Sequence, residues 1–214
     1  MVYGMLNFFP VSRLVFYYSA MNAGKTTALL QTNYNYRECG MNTLCFLPSL
    51  ITDRIGSEKI ISRIGIESPC ISFNNEFRFD HFVMESQESQ SISCALIDEA
   101  QFLTKSQVWQ LCYIADYLNI SVLTYGLRTD FQGNLFEGSK HLLAWADEIE
   151  EIKTVCFCGK NATMVVRLDQ DGNAVTNGEQ LDQAGSRYVS FCRKHYRESV
   201  QDGGLSTRAM FSVR

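Results

Sequence analysis

An α/β fold, a parallel sheet flanked by helices and followed by a smaller unit of different character, is predicted by three observations. The apolar run 14–18 leads through a small-residue turn into a helical pattern, which is how such a sheet opens. Two more apolar runs, 92–97 and 120–125, have the length of buried strands and enclose a stretch of helical spacing, Val108, Leu111, Cys112, Ala115 and Leu118. Beyond Cys156 the strand–helix alternation stops, and Gly-containing turns and alternating segments replace it.

The opening turn reads Ser19-Ala20-Met21-Asn22-Ala23-Gly24-Lys25-Thr26-Thr27. Backbone N–H groups of such a turn and the positive end of the helix dipole face an anion. Lys25 can reach β- and γ-phosphates and Thr26 can ligate Mg2+, so the stretch reads as a P-loop. Ser19 stands where the usual pattern has its first Gly.

The helix after it is expected to stop at Gly40, and a strand over 43–47 closes at Pro48, completing a βαβ unit. Residues 49–69, with Asp53, Arg54, Gly56, Arg63 and Gly65 among aliphatics, read as a long connection on the ligand side of the sheet. Helical spacing returns over 74–85, where Phe77, Phe79 and Phe82 read as core rather than a stacking platform, and 86–91 is polar and loop-like. Strand 92–97 ends in Asp98-Glu99. Thr104 with Gln107 forms a capping box for the next helix, which Asn119 ends. Strand 120–125, a short helix around 139–145 and a strand near 151–155 complete the sheet.

Asp98 and Glu99 leave the carboxyl end of a buried strand, the edge where ligands bind in parallel sheets. Asp98 is the Mg2+ candidate beside Thr26, and Glu99 can accept a proton from water or from a substrate hydroxyl. Near the C-terminus, Cys156 and Cys158 with Cys192 and His195 offer three thiolates and an imidazole, a donor set for tetrahedral Zn2+. With four protein ligands the metal has no open position and is structural.

Composition bounds the rest. A chain of 214 residues holds one main core and an appendage, with an α/β domain expected over 1–153, a zinc-binding unit over 154–197 and a flexible tail over 198–214. A net charge of -4 argues against a nucleic-acid backbone as main partner. No apolar run is long enough to span a bilayer, and the apolar stretch 1–9 lacks a basic leader and a cleavage site, so a cytoplasmic location is expected. Without a secretion signal the eight cysteines are not a disulfide framework, and Cys39, Cys45, Cys70, Cys94 and Cys112 read as small core residues.

These features in this order, with the spelling Asp98-Glu99-Ala100-Gln101-Phe102, the loop 127–132 and the closing Tyr188-Val189-Ser190-Phe191-Cys192-Arg193, resemble the type II thymidine kinases. The likeness runs from about Arg13 to Arg197. It implies a RecA-like P-loop domain, transfer of the γ-phosphoryl of ATP to the 5'-hydroxyl of thymidine, and a homotetramer. It also implies Glu99 as catalytic base, Lys25, Thr26 and Asp98 as phosphate and Mg2+ ligands, and Asp53 and Arg54 on the phosphate side. A zinc-tethered lasso over 166–188 would enclose the thymine, with Met21, Leu127, Phe131 and Phe136 as apolar contacts, Phe102 beside the base and Tyr188 over the nucleoside. The family's Ile-Gly-Gly element is replaced by Asp182-Gln183-Ala184-Gly185. Two other readings fit parts of the pattern: a helicase-like ATPase with an Asp-Glu-Ala-Gln motif, and a zinc ribbon that binds nucleic acid.

Overall fold

The structure, a computed structural model, describes residues 12–180 and 186–201; the stretch 182–185 and the end of the tail, on which two expectations fall, lie outside them. Strand β1 (Leu14–Ser19) leads through the P-loop turn into helix α1 (Lys25–Glu38) and strand β2 (Asn42–Pro48). Then come α2 (Ser49–Ile55), the short strands β3 (Lys59–Ile61), β4 (Glu67–Pro69) and β5 (Ile71–Phe73), and α3 (Phe79–Ser89). Strand β6 (Ile92–Ile97), a 3-10 turn (Ala100–Phe102), α4 (Lys105–Leu118), β7 (Ser121–Leu127), α5 (Glu137–Trp145) and β8 (Glu148–Glu151) finish the α/β part. β9 (Met164–Leu168), β10 (Arg187–Phe191) and α6 (Arg193–Gln201) follow.

The six-stranded sheet has the order β5-β2-β6-β7-β1-β8, and its pairings are parallel. The P-loop strand β1 and the Asp98-bearing strand β6 therefore flank β7, and the carboxyl ends of all three open on one edge. Residue alternation divides the core between the two faces. Leu14, Phe16, Leu44, Phe46, Ala95, Ile97 and Val122 pack with α3, α4 and α5. Val15, Cys45, Leu47, Cys94, Leu96 and Leu123 pack with Leu29 and Leu30 of α1. Each large side chain fully buried this way contributes about 1.5–3 kcal/mol. Phe46 meets Phe77, Phe79 and Phe82 edge-on at 5.1–5.9 Å, so the aromatic group is core, as expected. β9 and β10 form a separate antiparallel pair with a small core of Val166, Leu168 and Phe191.

Five expectations are corrected. The connection 49–69 holds helix α2, ended by Gly56 at φ 72°, and the hairpin β3–β4; one helix of seven residues and strands of three are too short to show a period. Helix α3 begins later than 74, because Asn74 Oδ1 caps a turn at the Glu76 N–H and Gln110 Oε1 accepts from the Phe79 N–H. It continues through 86–89, where Ser86 Oγ bonds the Phe82 carbonyl. The last strand of the sheet is 148–151 rather than 151–155: its charged residues mark an edge strand that, among the described residues, pairs with β1 alone. Cys39 is exposed at the end of α1, and Cys112 is half-buried. Burial pushes the Cys45 and Cys94 thiols up to about 12, which fits inert core residues.

Helix α4 carries a stripe of exposed aromatics, Trp109, Tyr113 and Tyr117, and Trp109 packs edge-on against Trp145 of α5 at 5.2 Å. Among the described residues no helix is long and apolar enough to cross a membrane.

Candidate active site

The turn between β1 and α1 reverses direction through two left-handed residues, Asn22 at φ 62° and Gly24 at φ 85°. A glycine adopts this conformation without strain, and here it lets the chain enter α1 with Lys25 as the first helical residue. Lys25 is buried; its Nζ donates to Ser19 Oγ at 3.0 Å and to the Ala20 carbonyl at 3.1 Å. Burial lowers the Lys25 pKa, and the charges of Glu99 and Asp98 oppose that shift. The hydroxyl at the position usually held by glycine thus serves as the resting partner of the lysine.

Thr26 and Asp98 meet across the cleft, Oγ1 donating to Oδ2 at 2.8 Å, and the Glu99 N–H donates to Asp98 Oδ1 at 3.0 Å. Burial pushes the Asp98 carboxyl up to about 7, and the neighbouring Glu99 charge acts in the same direction. A buried carboxyl group and a hydroxyl side by side suit a hard cation with oxygen ligands such as Mg2+.

Glu99 adopts φ 50° and ψ 39°, a left-handed conformation that costs a non-glycine residue on the order of 1 kcal/mol. The bend directs Asp98 inward to Thr26 and leaves Glu99 half-buried at the mouth of two cavities. One, of about 350 Å3, is lined by residues 21–27, the hairpin residues Ile61, Arg63 and Ile64, and Glu99 and Leu127. The other, of about 220 Å3, has an apolar wall of Met21, Leu50, Ile51, Phe102, Leu127, Phe131, Phe136 and Tyr188, with Glu99, Gln101, Asp130 and Gln180 among its polar groups. Met21, Glu99 and Leu127 line both.

All six residues expected at the base, Met21, Phe102, Leu127, Phe131, Phe136 and Tyr188, therefore come together in one cavity. Arg54 lines it as well, whereas Asp53 lies on the exposed side of α2 outside both linings. Ser19 and Ala20 are buried beneath the turn. Sequence reasoning gave no role to Arg63, Leu50, Ile51 and Gln101. Leu50 and Ile51 sit in a short helix and Arg63 in a hairpin turn, none with a periodic signal, and the Asp98–Phe102 spelling carries the resemblance without giving the Gln101 side chain a task.

The segment after β9 folds against the loop that follows β7. Gln180 Nε2 donates to Asp130 Oδ2 at 2.8 Å, Gln132 Nε2 to the Thr176 carbonyl at 3.1 Å, and the Arg167 guanidinium lies 5.0 Å over the Phe131 ring. Ser190 Oγ donates to the Met21 carbonyl at 2.5 Å, and Tyr196 Oη to the Phe131 carbonyl at 3.0 Å.

The ligand atoms of Cys156, Cys158, Cys192 and His195 lie within 4.8 Å of one another. His195 Nδ1 is 3.4 Å from Cys156 Sγ and 3.3 Å from Cys192 Sγ, and Cys158 Sγ is 3.9 Å from Cys192 Sγ. Tetrahedral Zn2+ with bonds of about 2.0–2.3 Å separates its ligands by about 3.3–3.8 Å, so the donors fit the ion. A hydrogen bond from the Lys160 N–H lowers the Cys158 thiol pKa, which favours the thiolate a metal needs. Glu198 Oε2 stands 3.8 Å from His195 Nε2, where it can orient the ring.

Comparison with known proteins gives concordant matches. The family model described as thymidine kinase matches residues 12–196. The chain is similar to the thymidine kinase of Escherichia coli O157:H7, 54% identical over 198 residues that cover 92% of this chain and 96% of the relative. It is similar likewise to the thymidine kinase of Shigella flexneri, at the same identity and coverage, and to that of Salmonella typhimurium, 52% identical over 197 residues with 92% and 96% covered.

Proposed function

The chain belongs to the thymidine kinase family, and on that premise we propose that it transfers the γ-phosphoryl of ATP to the 5'-hydroxyl of thymidine, giving dTMP and ADP. The observation that carries the reading is the junction of the two cavities: Glu99 borders the phosphate-binding turn and the aromatic-lined cleft alike. A carboxylate at that border is placed to take the proton of a hydroxyl held in the cleft while a γ-phosphoryl group is held by the turn.

In the proposed reaction thymidine fills the cleft, its base among Phe102, Phe131, Phe136 and Tyr188. Glu99 accepts the 5'-hydroxyl proton as the oxygen forms its bond to Pγ, and the bond from Pγ to the β,γ-bridging oxygen breaks to leave ADP. Lys25, the backbone N–H groups of 21–26 and Arg63 offset the charge on the transferring group; alignment and charge neutralisation supply most of the acceleration in such transfers. Mg2+ held at Thr26 and Asp98 would neutralise phosphate charge. The resemblance gives Asp53 and Arg54 a role on the phosphate side; of the two, Arg54 lines the cleft that Glu99 borders.

The proposal divides the chain into an ATP-binding domain over 1–153 and a zinc-tethered unit over 154–197 that closes on the nucleoside. It includes a cytoplasmic location and the homotetramer that the resemblance implies. The exposed stripe of Trp109, Tyr113 and Tyr117 is apolar surface available to such an assembly.

A phosphotransfer assay with ATP, Mg2+ and thymidine, deoxyuridine or deoxycytidine tests the activity. Thymidine is expected to give dTMP, with ADP release dependent on nucleoside. ADP release that is stimulated by polynucleotide and independent of nucleoside would overturn the reading. Metal analysis is expected to give one zinc per chain, and Cys156→Ser to raise the thymidine KM more than it lowers kcat, because the loop over the cleft loses its tether. Protein that carries no zinc as purified and keeps its thymidine KM after chelation would remove the metal from the mechanism.

A further inference from the structure

Gln101 is 2% exposed, and each end of its amide is spent on an atom of the site. Its Oε1 accepts from the Leu127 N–H at 3.0 Å, and its Nε2 donates to Glu99 Oε2 at 2.5 Å. The orientation is fixed by chemistry: a peptide N–H only donates and a carboxylate only accepts, so no flipped amide satisfies both. The side chain is therefore a rigid link between Glu99 and the main chain of Leu127, a residue that lines both cavities.

The surroundings hold that link in place. The Leu127 carbonyl accepts from Ser139 Oγ at 2.5 Å, so both polar groups of this residue are bonded by buried side chains. A Cβ at Gly126 would lie 3.0 Å from the Gln101 N and Oε1 atoms, which shows how closely the end of β7 approaches the turn. Glu99 itself stands in a left-handed conformation with its carboxylate half-exposed, so backbone geometry alone does not choose its rotamer.

We propose that Gln101 is a positioning residue that aims the Glu99 carboxylate at the acceptor hydroxyl and ties its aim to the Leu127 wall of the nucleoside cleft. The inference rests on the reading of Glu99 as the base. It predicts a dependence on the polarity of the amide rather than on its volume.

Gln101→Glu separates the two. It keeps shape and an oxygen for the Leu127 N–H, but turns the donor facing Glu99 into an acceptor. Turnover of thymidine is expected to fall on the order of 100-fold, the loss that a misplacement of about 1 Å produces, with the ATP KM unchanged. Gln101→Met, which removes the donor without adding charge, is expected to lose turnover in the same way, with thymidine and ATP binding retained by calorimetry; this second variant covers the case in which the buried charge prevents folding. In a Glu99→Gln background either substitution is expected to change turnover by less than about twofold, since a group acting through Glu99 has nothing left to act on. Wild-type turnover in Gln101→Met, or the full loss persisting in the Glu99→Gln background, would overturn the positioning role. Near-normal turnover of Glu99→Gln alone would instead defeat the reading of the base on which the inference rests, so the two failures are distinguishable.

Discussion

Glu99→Gln is expected to lower kcat by about two or more orders of magnitude while ATP and thymidine still bind, the loss typical of removing a positioned base. The substitution keeps shape and volume at the junction of the cavities and removes only the capacity to hold a proton. Asp98 and Thr26 keep their hydrogen bond, and the Glu99 N–H that bonds Asp98 belongs to the main chain, so the Thr26–Asp98 pair is undisturbed. Single-turnover kinetics beside calorimetric binding of each substrate checks it. A tenfold or smaller loss, with binding intact, would mean that the hydroxyl is deprotonated elsewhere.

Gly138→Ala is expected to cost about 3 kcal/mol of stability and a further 10- to 100-fold in kcat, although residue 138 contacts neither cavity. A Cβ there would lie 2.4 Å from the Ala100 carbonyl oxygen and 2.9 Å from those of Gln101 and Leu103. All three are backbone atoms, two in the 3-10 turn that follows Glu99 and one in the residue that ends it, so no side chain can swing aside and the turn itself must shift. Denaturant unfolding and steady-state kinetics measure the two effects. Gly40→Ala is the companion variant: it imposes φ 74° on an alanine with nothing within 4 Å of its Cβ, and is expected to lose about 1 kcal/mol with kcat unchanged.

The parts of the fold legible in the sequence are those where one physical signal dominates. Strands β1, β6 and β7 are buried on both faces and read as continuous apolar runs, and the Thr104 capping box places α4 to the residue. The β3–β4 hairpin and β5 are three-residue strands held by tertiary pairing, and β8 is a charged edge strand, so hydropathy marks none of them. The same division runs through the site. The turn 19–27, the pair Asp98–Glu99 and the Cys and His set are contiguous or carry diagnostic spacing. The lining of the apolar-walled cavity comes from eight separate stretches of chain, and its assignment to the nucleoside needed a family resemblance, since no spacing relates Phe102 to Phe136 or Tyr188. Arg63 and Gln101 enter only through contacts that exist once β3–β4 lies over the P-loop and the 3-10 turn lies against β7.

The edge-on pair of Trp109 and Trp145 accounts for both tryptophans in the chain. Intrinsic emission excited in the indole band therefore comes from a single place, the seam between α4 and α5, away from the two cavities. Such a signal follows the docking of the helix that begins beside Gly138 and stays silent when the cleft fills. In the Gly138→Ala protein it distinguishes a helix that has lifted off its neighbour from a turn that has moved beneath a helix still in place.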